Sequence, residues 1–163
     1  MGDSYIETGD GPRVPRYRKL VKASQPAAGA DWSLTVPGGR IWRVRSLVAT
    51  LATAVAVANR VVQFTLSDQT DVYLSVQTLP PVVASTTVRY SLWEGQADLA
   101  TLTAGLDIGA PLWCFWMPAG TVIASSTTAL QAADQWSLVK LFVDEMYDGP
   151  GDVPYPLNAV ETF

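Results

Sequence analysis

The sequence predicts an all-β fold, an antiparallel two-sheet sandwich of about eight strands with extended N- and C-terminal arms. Three observations predict it. Apolar residues alternate at period two in short blocks, the mark of half-buried strands. Gly and Pro together fill 23 of the 163 positions and punctuate those blocks. The chain is 48% hydrophobic but only 16% charged, below the roughly one quarter usual in soluble domains, so much apolar surface must be covered.

Residues 1 to 30 hold Gly2, Gly9, Gly11, Pro12, Pro15, Pro26 and Gly29 without a sustained apolar period, and they read as an extended arm. The sandwich follows over 31–145. Strands are expected near 31–36 and 40–51, the latter because Trp42 and Val44 alternate with Arg43 and Arg45. Val62, Phe64 and Leu66 define 59–67, and Val72, Leu74 and Val76 define 71–78, joined by the turn Asp68-Gln-Thr-Asp71. Val88, Tyr90 and Leu92 define 83–93. Gly95 to Pro111 reads as an excursion, followed by strands at 112–117, 121–127 and 135–145, the last apolar on both faces. Trp32 and Trp113 each precede a turn proline, Pro37 and Pro118, by five residues, an internal echo that a two-sheet construction can produce. Pro37-Gly38 suits a type II turn with the positive φ on Gly38, and Pro118-Ala119-Gly120 a type I turn. Residues 146–163 return to Gly and Pro, with Tyr147, Tyr155 and Phe163 interleaved, and form the second arm.

Composition restricts function sharply. With no histidine and one cysteine, Cys114, the chain cannot build a Ser-His-Asp or Cys-His site, a His-based metal centre or an intrachain disulfide. Cys114, within Leu112-Trp-Cys-Phe-Trp116, has no neighbouring cation to stabilise a thiolate and reads as a buried small hydrophobe. Asp144 and Glu145 are consecutive in a strand, so they point to opposite faces and make a poor acid/base pair. Asp144, Asp148 and Asp152 match no calcium loop and read as a solvated acidic tail. Arg43 and Arg45 read as a polar sheet face paired with carboxylates. Trp93, Trp113 and Trp116 suit core or interface better than a stacking platform. No catalytic, cofactor or metal residues are therefore assigned, and the chain is expected not to be an enzyme.

The net charge of −4 gives no reason to seek nucleic acid, and no run approaches the 20 or so apolar residues of a membrane span. The start carries acids and no apolar core, so no signal peptide is expected. Charge is nevertheless polarised. Arg13, Arg16, Arg18, Lys19 and Lys22 cluster near the N-terminus, and nothing after Lys140 is basic. Oppositely charged ends suit contacts between neighbouring subunits, with Tyr5, Arg13, Arg16, Tyr17, Arg18, Tyr147, Tyr155 and Phe163 as the expected interface residues.

The stretch Val36-Pro-Gly-Gly-Arg-Ile-Trp-Arg-Val-Arg-Ser-Leu-Val-Ala-Thr-Leu, with Ala58-Asn-Arg-Val-Val, Pro118-Ala-Gly-Thr-Val-Ile, Leu130-Gln-Ala-Ala-Asp-Gln-Trp-Ser and Leu141-Phe-Val-Asp-Glu145, resembles small β-sandwich structural proteins of tailed bacteriophage virions. The resemblance covers residues 36–145 and implies a jelly-roll-like component, such as a capsid decoration or cement protein that associates as a homotrimer with itself and with the major capsid protein. Its setting would be the virion, assembled in the host cytoplasm. A head–tail connector, or a tail or fibre component with a glycan-binding sandwich, is the alternative.

Overall fold

The computed structural model of the chain describes residues 5–6, 14–15, 17–78, 81–96, 100–103, 107–112, 115–137 and 139–147. They contain thirteen strands and no helix: β1 (Tyr5–Ile6), β2 (Val14–Pro15), β3 (Tyr17–Lys22), β4 (Ser33–Thr35), β5 (Arg40–Ala52), β6 (Val61–Ser67), β7 (Val72–Gln77), β8 (Thr87–Trp93), β9 (Ala100–Thr103), β10 (Asp107–Pro111), β11 (Val122–Thr128), β12 (Gln135–Trp136) and β13 (Lys140–Tyr147). The predicted two-sheet sandwich is what they build. The larger sheet runs β3-β13-β5-β8-β10-β9, with β12 also on β5; the smaller runs β4-β11-β6-β7; β1 and β2 pair with each other.

The two inner faces meet in an aromatic cluster. Phe64 of the smaller sheet lies 5.5 Å from Tyr90 and 6.3 Å from Trp136, both of the larger sheet, in edge-to-face contact. Trp32, just before β4, closes the cluster at 6.1 Å from Phe64. Such ring pairs add about 0.5–1.5 kcal/mol each beyond the area they bury. Leu47, Leu51, Leu66, Leu92 and Ile123 fill the space around them, all buried.

At its centre β5 breaks the simple alternation. Trp42 and Val44 point inward, and so do Leu47, Ala49 and Leu51, which have the opposite parity. The register shift opposite Phe142/Val143 explains this: Ser46 faces Phe142 and Val44 faces Val143, so Arg45 is an extra residue in a β-bulge. Arg45 and Ser46 consequently both point outward, and a 13-residue strand keeps apolar side chains on the core at both ends.

Elsewhere the structure departs from the sequence expectation in five places, the first being that the strand expected over 135–145 is two, β12 and β13. Residues 17–22, inside the segment that reads as an arm, are laddered to β13 as β3, an edge of the larger sheet. The region expected to be an excursion contains β9 and β10, and β10 pairs with β8 in parallel, so the sandwich is not wholly antiparallel. The strand expected at 112–117 does not form in its described residues, where Met117 makes only an isolated bridge to Trp42; bulky Trp and Phe side chains gave that stretch the look of a strand. The turn after Pro37 places its positive φ on Gly39 rather than Gly38, and Gly120 likewise has positive φ, so the second turn is not type I. These two turns lie side by side, joined by hydrogen bonds between Val36 and Gly120-Thr121, but neither is a hairpin turn: the first leads from β4 to β5, which lie in different sheets, and the second from Met117, bridged to β5, to β11 of the smaller sheet.

Candidate functional site

The start of β3 and the end of β13 lie at one place, because the two strands are antiparallel neighbours with Tyr17 opposite Glu145. A cluster of aromatic and charged side chains fixes that point. Tyr17 meets Tyr147 edge to face with centroids 6.3 Å apart. The Arg40 guanidinium lies 3.7 Å from the centroid of Tyr147, and the Lys19 ammonium 5.6 Å from that of Trp42, both within cation–π range. Glu145 ties the group together. Its Oε2 accepts the Trp42 Nε1–H at 2.6 Å and faces Lys19 Nζ at 2.6 Å, and its Oε1 accepts from Arg40 at 3.1 Å. A carboxylate that is nearly buried is thereby fully partnered, which is the condition for placing one there.

Asp144, one residue earlier, points to the outer face, as consecutive strand residues must. The reading of Asp144 as part of a solvated tail is wrong: it is buried beneath Arg18 and Arg45, which both donate to it. Arg45 also reaches Glu94, as does Arg43, so the expected arginine-carboxylate face exists and runs from β3 through β13 and β5 to Glu94, just after β8. Burial works against the charge of Glu94, but hydrogen bonds and attraction from Arg45 and Arg43 outweigh it and hold the carboxyl below its ordinary value. Burial likewise opposes the charge on Arg45, and bonds to Glu94 and Asp144 raise its pKa regardless. The bulge lets Arg45 keep the outward phase of Arg43 while Leu47, Ala49 and Leu51 still reach the core.

Asp144 and Glu145 lie on opposite faces, each surrounded by cations, and face no common cleft. Among the described residues no group of three metal-ligating side chains occurs. Nor, among them, is any helix long and apolar enough to cross a membrane.

What the surface does present is apolar. Leu20, Phe142 and Trp93 are 54%, 39% and 37% exposed. Register places them in one line across the outer face of the larger sheet, Leu20 opposite Phe142, Phe142 opposite Ser46, and Ser46 opposite Trp93. At the other end of β5 the loop 53–59 carries Val55 and Val57 into solvent, 83% and 96% exposed. That loop is anchored by a buried ion pair. Asp134 binds Arg60 through both oxygens at 2.9 Å and accepts the Ala54 N–H, while Arg60 donates to the Ala58 carbonyl.

Of the residues expected at an interface, the structure brings together Tyr17, Arg18 and Tyr147 where the two terminal segments meet the sheet. Arg18 is 66% exposed along its side chain while bonded to Asp144. The backbone of Tyr5 lies in β1. Arg13, Arg16, Tyr155 and Phe163 lie outside the described residues, as do Trp113, Cys114, Asp148 and Asp152. Leu20, Phe142 and Trp93 were not legible as a group, because only the pairing of β3, β13, β5 and β8 aligns them. The signal that did exist was Phe142 standing out of phase with Leu141 and Val143.

No family model matches this chain, and no curated protein does. Among solved structures it is similar to the coat protein of tobacco streak virus, with 11% identity and a TM-score of 0.36 over 90% of this chain and 95% of that one.

Proposed function

We propose that the protein is a non-enzymatic virion structural component, a capsid decoration or cement protein that binds copies of itself, as a trimer, and the major capsid protein through its terminal segments. One observation carries the mode of action. The sandwich holds large apolar side chains in solvent along the line of Leu20, Phe142 and Trp93 and, separately, at Val55 and Val57, and grouped exposed apolar side chains mark an interaction site. The resemblance in sequence to phage virion proteins supplies the setting. The clasp of Tyr17, Arg40, Glu145 and Tyr147 supports the arm reading, since it gives both terminal segments one firm root from which to reach a neighbour.

Cryo-electron microscopy of intact particles tests the reading. Density for the sandwich repeated over the capsid lattice supports it, whereas absence from purified particles, or a position confined to the tail or one vertex, overturns the cement role. A chain lacking residues 1–16 keeps β3 in the sheet; it should fold and fail to enter particles, and normal incorporation would sink the arm mechanism.

A further inference from the structure

We propose that the line of Leu20, Phe142 and Trp93 on the outer face of the larger sheet is a docking site for residues 152–157 of a second copy of this chain, an inference that rests on the assembly reading above. The argument is one of matching shape, length and charge.

The acceptor is an aromatic-lined row with a gap. Ser46, a small side chain, stands between Phe142 and Trp93 in register, and the Trp93 ring lies over Gly109 of β10, so the Ser46 position carries no large side chain. The row crosses four consecutive strands, β3, β13, β5 and β8; three inter-strand steps of about 4.8 Å make about 14 Å. Two residues along from Leu20 and Phe142 stand Lys22 and Lys140, opposite each other in register and both exposed. Among the described residues neither has a carboxylate within ion-pair distance, so that edge of the row is positive.

The ligand is written in the sequence Asp152-Val-Pro-Tyr-Pro-Leu157. Pro154 and Pro156 favour the extended polyproline II conformation and remove two backbone donors, which suits a segment lying across a sheet rather than one adding to its edge. Val153, Pro154, Tyr155, Pro156 and Leu157 are all apolar, so in a helix of three residues per turn every side of the segment carries an apolar group. At about 3.1 Å per residue, Val153 to Leu157 extends about 12 Å, the length of the row. Preformed extended segments of this kind dock on aromatic-lined grooves because little chain entropy remains to be lost. Asp152, placed at the β3 end with Val153 on Leu20, faces Lys22 and Lys140, and residues 148–163 contain no basic side chain to oppose them. The polarity of charge along the chain thus acquires a specific pair of partners.

The test uses the full chain with a benzophenone amino acid replacing Tyr155, mixed with a 15N-labelled chain lacking it, irradiated and mapped by mass spectrometry. The expected product is a light–heavy pair crosslinked at Leu20, Phe142 or Trp93. Crosslinks confined to the light chain itself, or mapping elsewhere, overturn the proposal. Phe142→Ser in the labelled chain should lower the yield about two- to twelvefold, the effect of losing one aromatic contact. Lys140→Glu, on an exposed side chain, should lower it independently and be offset by Asp152→Lys in the light chain; insensitivity to both variants overturns the proposal too. Particles that incorporate the chain without this crosslink would refute the docking while leaving the virion role standing, and the crosslink in a chain that never enters particles would do the reverse.

Discussion

Asp134→Asn changes no volume yet should be among the most damaging conservative substitutions in the sandwich. Arg60 and Asp134 are both wholly buried and joined by two hydrogen bonds of 2.9 Å. The amide removes the negative charge and turns an N–H donor toward the guanidinium in place of one oxygen, leaving the buried Arg60 charge with neutral acceptors alone, the amide oxygen and the Ala58 carbonyl. Breaking a buried pair by neutralising one partner costs about 3–5 kcal/mol, because the other charge is left uncompensated. For a domain of this size each kcal/mol lowers Tm by about 2–4 °C, so a fall of about 6–20 °C is expected in thermal unfolding followed by circular dichroism at pH 7. The pH dependence supplies an internal control. Burial by itself would raise the pKa of Asp134, but hydrogen bonds from Arg60 and from the Gln131 and Ala54 N–H groups lower it beneath its ordinary 3.8. A carboxyl depressed on folding contributes stability above its unfolded pKa and loses it as pH falls through the folded one. The gap between the native chain and Asp134→Asn should therefore be full near pH 7 and close below about pH 3.8. Adding Arg60→Gln should restore part of the loss. A Tm change under about 2 °C, or a gap that persists unchanged in acid, would refute the uncompensated-charge argument.

Three further outcomes follow from the geometry. Gly29→Ala should cost at least about 2 kcal/mol in urea titration, since Gly29 has φ +73° and a Cβ there would sit 2.7 Å from the Ala132 Cα; an unchanged midpoint would mean the turn relaxes freely. Deleting Arg45 should prevent folding, because it shifts either Trp42 and Val44 or Leu47, Ala49 and Leu51 to the wrong face, whereas Arg45→Ala should fold; a soluble deletion variant with a native melt would refute the bulge as the phase-setting device. Glu94→Gln should lower stability by about 1 kcal/mol at neutral pH. That difference should disappear as pH falls through the lowered Glu94 pKa, beneath its ordinary 4.5, and shrink in high salt, and equal melts at low and high salt would count against the network.

Several strands were legible because their environment is one-sided. In β6 the sequence Val61-Val-Gln-Phe-Thr-Leu-Ser67 alternates half-buried and buried residues without exception, and β8 and β11 alternate nearly as well. Strand β3 escaped notice for a definite reason. Its inward positions are Tyr17, Lys19 and Val21, and Lys19 sits there because Glu145 neutralises it and Trp42 receives its ammonium. A lysine in that position hides the period. The β9–β10 pair was hidden differently, by short runs, the second containing Gly109, whose parallel partners in β8 lie 18 residues back in the chain.

The sequence by itself determined the all-β class, the two-sheet sandwich, the arginine face of β5 and the poverty of reactive groups, because composition and period two act locally and need no partner. The tertiary structure alone decided which residues stand side by side. The bulge at Arg45, the saturation of Glu145 and the line from Leu20 through Phe142 to Trp93 all depend on register between strands far apart in the chain. A one-residue slip in register moves every side chain to the other face, so no local pattern, however clear, encodes the surface on which this protein is proposed to meet its neighbours.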